Sequence, residues 1–168
     1  MLIRRLLSLL FIVGLASAAW AQDNAGCDKF KWSVARERAW FAAGAKPVAA
    51  GAELGLADQG YAVALVPDES AGFVLPPERA PKPGTFGGVL KISDLPKAGL
   101  YEITLSDEAW VDVVQNGASV KSSDFSGQKN CPGVRKSVRF ELAPGDLVLV
   151  QISNAAKDEI KVAFDLAP

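Results

Sequence analysis

The chain contains no histidine at all. Ser-His-Asp and Cys-His nucleophile machinery therefore cannot be assembled. Nor can the two-histidine, one-carboxylate iron site of non-haem oxygenases. Two cysteines are too few for a four-thiolate zinc site. What remains for metals is a hard cation held by oxygens, and no Asp-x-Asp-x-Asp run is present to hold one. A Walker loop and a Gly-x-Ser-x-Gly elbow are also missing. The sequence points to no cofactor.

Long apolar runs are confined to the opening "MLIRRLLSLLFIVGLASAAWAQ". Arg4 and Arg5 form a cationic start, Leu6 to Ala18 an apolar stretch, and Ala19-Trp20-Ala21 a small-residue cleavage site. This reads as a secretory signal over residues 1–21, and it predicts a periplasmic or secreted mature chain with no transmembrane segment after cleavage. The mature region, 22–168, has the size of one domain. It carries 16 cationic residues against 19 acidic ones, a balance of −3. That balance offers no basic footprint for nucleic acid.

Residues 22–58 read as a segment of helix and loop, with a short strand an option within 44–58. Ser33 is placed to cap a helix, Val34, Arg38 and Phe41 share one face, and Gly44 stops it. From residue 61 the apolar period becomes two. "YAVALV" (61–66), "GGVLKIS" (87–93), "GLYEITLS" (99–106), "AWVDVVQ" (109–115), "ASVKS" (118–122), "KSVRFELA" (136–143), "LVLVQIS" (147–153) and "EIKVAFDL" (159–166) are about eight strands. Asn116-Gly117 supplies the positive φ angles of a type I′ hairpin. Residues 67–84 hold five prolines and read as a stiff, extended surface loop. Short strands at regular intervals, with no helices between them, predict an antiparallel β-sandwich or jelly roll. The same strands could also close as a barrel.

Cys27 and Cys131 are the only cysteines. In an oxidising compartment they are expected to pair as a disulfide. Such a bond closes a loop of about 100 residues, worth about 4–5 kcal/mol by chain entropy. A nucleophilic Cys131 activated by Lys129, Arg135 and Lys136 is the alternative. The same three cations could form an anion pocket, although charge runs are more often solvated. Arg139 and Glu141 fall on the polar face of their strand. Lys136 falls on the apolar face, either before the strand begins or with its stem along the sheet and its ammonium at the rim.

Trp110 and Asp112 share a strand face. A tryptophan beside a carboxylate is a way for a sandwich to hold a sugar, whereas the commoner place for such a ring is the core. Asp107, Glu108, Asp112, Asp124 and Glu141 are the carboxylates from which a hydrolase pair could be drawn.

The runs "CDKFKWSVARERAWFAA", "PPERAPKP", "AGLYEITLSDEAWVDVV" and "NCPGVRKSVRFEL" cover much of the mature chain. Through them it resembles a family of small exported proteobacterial proteins often labelled homogentisate 1,2-dioxygenase. That label implies a non-haem iron enzyme that opens an aromatic ring; no iron ligand carries over onto this histidine-free chain. The layout of 99–166 also resembles jelly-roll domains appended to secreted proteases and glycosidases.

The expected function is an exported, non-catalytic binding or structural protein of the cell envelope, with a glycan or an envelope protein as partner. Trp110, Asp112, Arg135, Lys136 and Arg139 are the binding candidates. The alternative is an enzyme, either a carboxylate-based hydrolase or the labelled dioxygenase.

Overall fold

The computed structural model describes residues 26–168. The signal segment read at 1–21 lies outside the described residues. Among the described residues one α-helix, α1 (Ala35–Gly44), precedes eleven strands, with short 3-10 turns at Cys27–Lys29 and Asp68–Ser70. These are β1 (Lys46–Ala49), β2 (Tyr61–Ala64), β3 (Val66–Pro67), β4 (Phe86–Ile92), β5 (Gly99–Leu105), β6 (Trp110–Gln115), β7 (Ala118–Val120), β8 (Asp124–Gly127), β9 (Lys136–Leu142), β10 (Val148–Ala155) and β11 (Glu159–Leu166). They form a six-stranded sheet, β1-β2-β11-β5-β9-β8, and a five-stranded sheet, β3-β4-β10-β6-β7. The fold is mainly β, a sandwich as the alternation implies. Pairings between these strands are antiparallel except β1 with β2.

The core follows strand parity. Tyr101, Ile103 and Leu105 of β5 meet Val138 and Phe140 of β9 and Ile160, Val162 and Phe164 of β11, facing Leu90, Val113, Val150 and Ile152 of the other sheet. Tyr101 and Phe164 stack with ring centroids 5.5 Å apart. The Asn116-Gly117 turn has φ 54° and 71°, as a type I′ hairpin requires.

Two strands exceed the sequence reading. "YAVALV" is not one strand, because Leu65 hands the chain from the six-stranded sheet (β2) to the five-stranded one (β3). β8 lies inside a polar connection, whereas β1 is the short strand for which residues 44–58 left room.

Both outer faces are covered. The N-terminal segment and α1 pack on the six-stranded sheet, where Phe30, Val34 and Phe41 join Val134 and Ala163 in a second apolar cluster. The disulfide between Cys27 and Cys131 ties this segment down. Gly44, at φ 109°, ends the helix. The N-cap of α1 is Val34, with no side-chain cap; Ser33, one residue earlier, accepts the Ala35 amide at 3.3 Å.

The proline-rich stretch is an extended surface segment, and it is fastened to the sheet beneath it. Residues 73–84 lie as a strap on the outer face of the five-stranded sheet. Proline removes donors, and side chains of the sheet meet several that remain. Gln151 Oε1 accepts the Val74 and Leu75 amides at 2.6 and 3.2 Å, while Gln151 Nε2 donates to Leu75 O at 3.0 Å. Asp112 Oδ2 accepts the Glu78 amide at 3.3 Å, and Asn154 Oδ1 the Lys82 amide at 3.0 Å.

Candidate functional site

The two sheets part at the β7–β8 side. β7 is three residues long and cannot cover β8 across the sandwich. Phe125 pairs in register with Val138, so it points to the core side of its sheet. It is nevertheless 61% exposed. Beside it a cleft of about 90 Å³ runs between the sheets, walled by Val120, Val111, Val138 and Phe140, with Trp110, Asp112, Glu78 and Lys136 also lining it.

The polar groups of the cleft are held in place. Asp112 is 8% exposed and both of its oxygens are engaged. Oδ1 accepts Trp110 Nε1 at 3.1 Å, and Oδ2 accepts the strap amide of Glu78. Burial raises the Asp112 carboxyl above the usual carboxylate value, against the opposing pull of these two hydrogen bonds. Lys136 opens β9 in register with Gly127 and Leu105, which settles its place: the stem runs along the sheet. Its Nζ sits 4.7 Å from the Trp110 ring centroid and donates to Ala109 O at 3.3 Å. Burial lowers its ammonium below the usual lysine value, the Arg135 and Arg79 charges push the same way, and Glu108 and Asp112 oppose them. Arg79, from the strap, lies 5.4 Å from the same ring.

Three of the five binding candidates, Trp110, Asp112 and Lys136, therefore meet at one cleft. Arg135 stands next to it and pairs with Glu108. Arg139 belongs to the opposite face of the six-stranded sheet. There its Nε donates to Glu102 Oε2 at 2.8 Å, and its guanidinium stacks 3.9 Å from the Trp32 ring centroid. Trp110 is half-buried on the outer side of β6 rather than in the core. Phe125, Glu78 and Arg79 escaped the sequence reading.

The hydrolase carboxylates divide among separate partners. Asp107 pairs with Lys157 at 2.7 Å, Asp124 with Lys31 at 2.6 Å, and Glu108 with Arg135. Asp112 is taken up as above, and Glu141 is exposed. Cys131 carries no free thiol, since it is bonded to Cys27. Among the described residues no three His, Cys, Asp or Glu side chains converge as metal ligands. This donor set does not fit the iron that the dioxygenase label implies. Among the described residues no helix is long and apolar enough to cross a membrane.

Comparison of the chain with protein-family models, with curated proteins and with solved structures finds no match in any of the three.

Proposed function

We propose that the chain is an exported, non-catalytic binding protein of the bacterial cell envelope, and that it holds a protein partner at the β7–β8 edge. The observation that carries this reading is Phe125, a core-directed aromatic left 61% exposed beside an open apolar cleft. Aromatic residues and arginine are the usual anchors of protein interfaces, and here Phe125, Trp110 and Arg79 stand together.

The size of the cleft favours a protein over a free small ligand. Its volume of about 90 Å³ matches roughly three waters, or one aliphatic side chain, far below the several hundred Å³ of a drug-sized site. An inserted side chain needs a larger body to supply the rest of the contact. A glycan is less well served. Two cations already lie over the Trp110 ring, and both Asp112 oxygens already accept hydrogen bonds. Export is supported by the signal-like opening and by the Cys27–Cys131 disulfide.

Thermal unfolding of the oxidised mature protein against envelope glycans separates the two ligand classes. A ligand at about 100 times its dissociation constant adds about 2.7 kcal/mol. The expected result is no shift with any glycan. A saturable shift that disappears in Trp110→Ala would replace the protein partner with a sugar.

A further inference from the structure

β8 is the last strand of its sheet, with β9 as its one neighbour. Phe125 is its single large apolar residue, and that ring is mostly exposed. A short edge strand with so little burial opens readily unless something else holds it. The segment Cys27–Trp32 supplies that hold. The Lys31 amide donates to Ser126 Oγ at 3.0 Å. Lys31 Nζ pairs with Asp124 at 2.6 Å and lies 5.6 Å from the Phe125 ring centroid. Gln128 Nε2 donates to Lys29 O at 3.0 Å. An exposed ion pair such as Lys31–Asp124 is worth little by itself, so these contacts persist only while the segment stays in place. Two features keep it there: Phe30 in the apolar cluster beneath, and the Cys27–Cys131 bond four residues before Lys31.

The two cysteines are not equivalent. Cys131 is 6% exposed, whereas Cys27 is half-buried and lines an open groove with Phe30, Trp32 and Arg38. A thiol therefore reaches the bond from the Cys27 side. We propose that the Cys27–Cys131 disulfide is a redox control on the β7–β8 edge, opened by a dithiol reductant that enters at Cys27. The reductant's thiolate forms a bond to Cys27 Sγ, the bond to Cys131 breaks, and its electron pair leaves on Cys131, which takes up a proton. The reductant's second thiol then attacks the mixed disulfide and expels Cys27, which is protonated in turn. Two electrons and two protons pass to the protein, and the reductant leaves as a disulfide. Once its anchor is gone, the segment withdraws Lys29 and Lys31 from β8, and Phe125 loses its fixed position. As a control of binding this rests on the protein partner proposed above. The coupling of the disulfide to β8 does not.

The test needs no partner. The purified mature protein is compared in its oxidised form, in a form reduced with dithiothreitol and blocked with iodoacetamide, and as Cys27→Ser/Cys131→Ser. Hydrogen exchange is read by mass spectrometry at labelling times of seconds to minutes. Residues 123–128 should exchange about tenfold faster in both disulfide-free forms, while 101–105 and 148–153 stay protected. In oxidised Lys31→Met the same stretch should already exchange faster, and reduction should then add less than it does in the wild type. With glutathione as the probe, the first mixed disulfide should map to Cys27. Unchanged exchange at 123–128 after reduction overturns the proposal, and so does a rise of equal size in the core strands. A full additional effect of reduction in Lys31→Met overturns the route through Lys31. Equal adducts on both cysteines overturn the entry at Cys27. None of these failures touches the protein-binding reading, and absence of a partner would leave the exchange result standing.

Discussion

Arg139 and Trp32 stack with the guanidinium carbon 3.9 Å from the ring centroid, directly above Glu102, a carboxylate only 2% exposed. Arg139 Nε donates to Glu102 Oε2, Thr104 Oγ1 lies 3.3 Å from the other Glu102 oxygen, and Trp32 Nε1 donates to Ser137 Oγ at 3.1 Å. The N-terminal segment thus closes over a polar cluster on the outer face of the six-stranded sheet. Removing Arg139 leaves a buried carboxylate without its counter-charge. Arg139→Ala should cost about 3 kcal/mol in chemical denaturation, and Arg139→Ala/Glu102→Gln should recover most of it. Equal losses in both would show that the arginine acts through packing on Trp32 alone.

The disulfide holds the same segment from its other end. Cys27→Ser/Cys131→Ser opens a long loop in the unfolded chain and should lower stability by about 4 kcal/mol, or roughly 10 °C in Tm. Reduction of the wild type should move Tm by the same amount.

Gly87 on β4 has a packing reason to be glycine. A Cβ there would clash with Asp68 Oδ1, approach the Ile152 carbonyl to 2.5 Å and come within 2.9 Å of Phe73. Asp68 has nowhere to move, because its other oxygen accepts Thr85 Oγ1 at 2.6 Å and the Asn154 amide at 3.0 Å. Gly87→Ala should destabilise by more than about 2 kcal/mol, whereas Gly55→Ala, with open space around it, should be near neutral. Comparable midpoints for the two variants would contradict the packing.

Two aspartates should give opposite pH signatures. Burial raises the Asp112 carboxyl, so the folded state binds this proton more tightly than the unfolded chain. Its contribution is therefore most favourable below the unfolded value and is lost as pH rises through the raised one. For Asp107, burial acts upward. The hydrogen bonds from Lys157 and Ser106, with the charges of Lys157 and Lys161, together outweigh it and lower the carboxyl. Its contribution is present above the unfolded value and is lost as pH falls through the lowered one. Denaturation of Asp112→Asn and Asp107→Asn across the acid range checks both signs. The wild type should gain on the first variant as pH falls and lose ground to the second.

Parity made much of the sandwich readable. Tyr101, Ile103 and Leu105 alternate with Glu102 and Thr104, Asn116-Gly117 marks its hairpin, and two cysteines have one pairing. What stayed hidden rests on distant partners. "SSDFSGQ" has a single apolar residue and no period of its own, so β8 exists because β9 offers it a ladder. The prolines mark the strap as stiff and extended, but its anchor, Gln151, lies some 76 residues away in sequence. Trp110, Asp112 and Lys136 could be singled out by residue type, but their meeting depends on β6 and β9 lying in opposite sheets at an open edge. Arg139 has the same composition signal and serves the other face.

Site-specific photocrosslinking in living cells tests the binding edge most directly. A photoreactive residue replaces Phe125 in one strain and Leu147, another exposed apolar residue, in a second. Position 125 should give one discrete protein adduct, lost when Val120→Trp fills the cleft mouth, and position 147 should give none. Identical adducts at both positions, or adducts at 125 that survive filling of the cleft, would contradict a partner held at the β7–β8 edge.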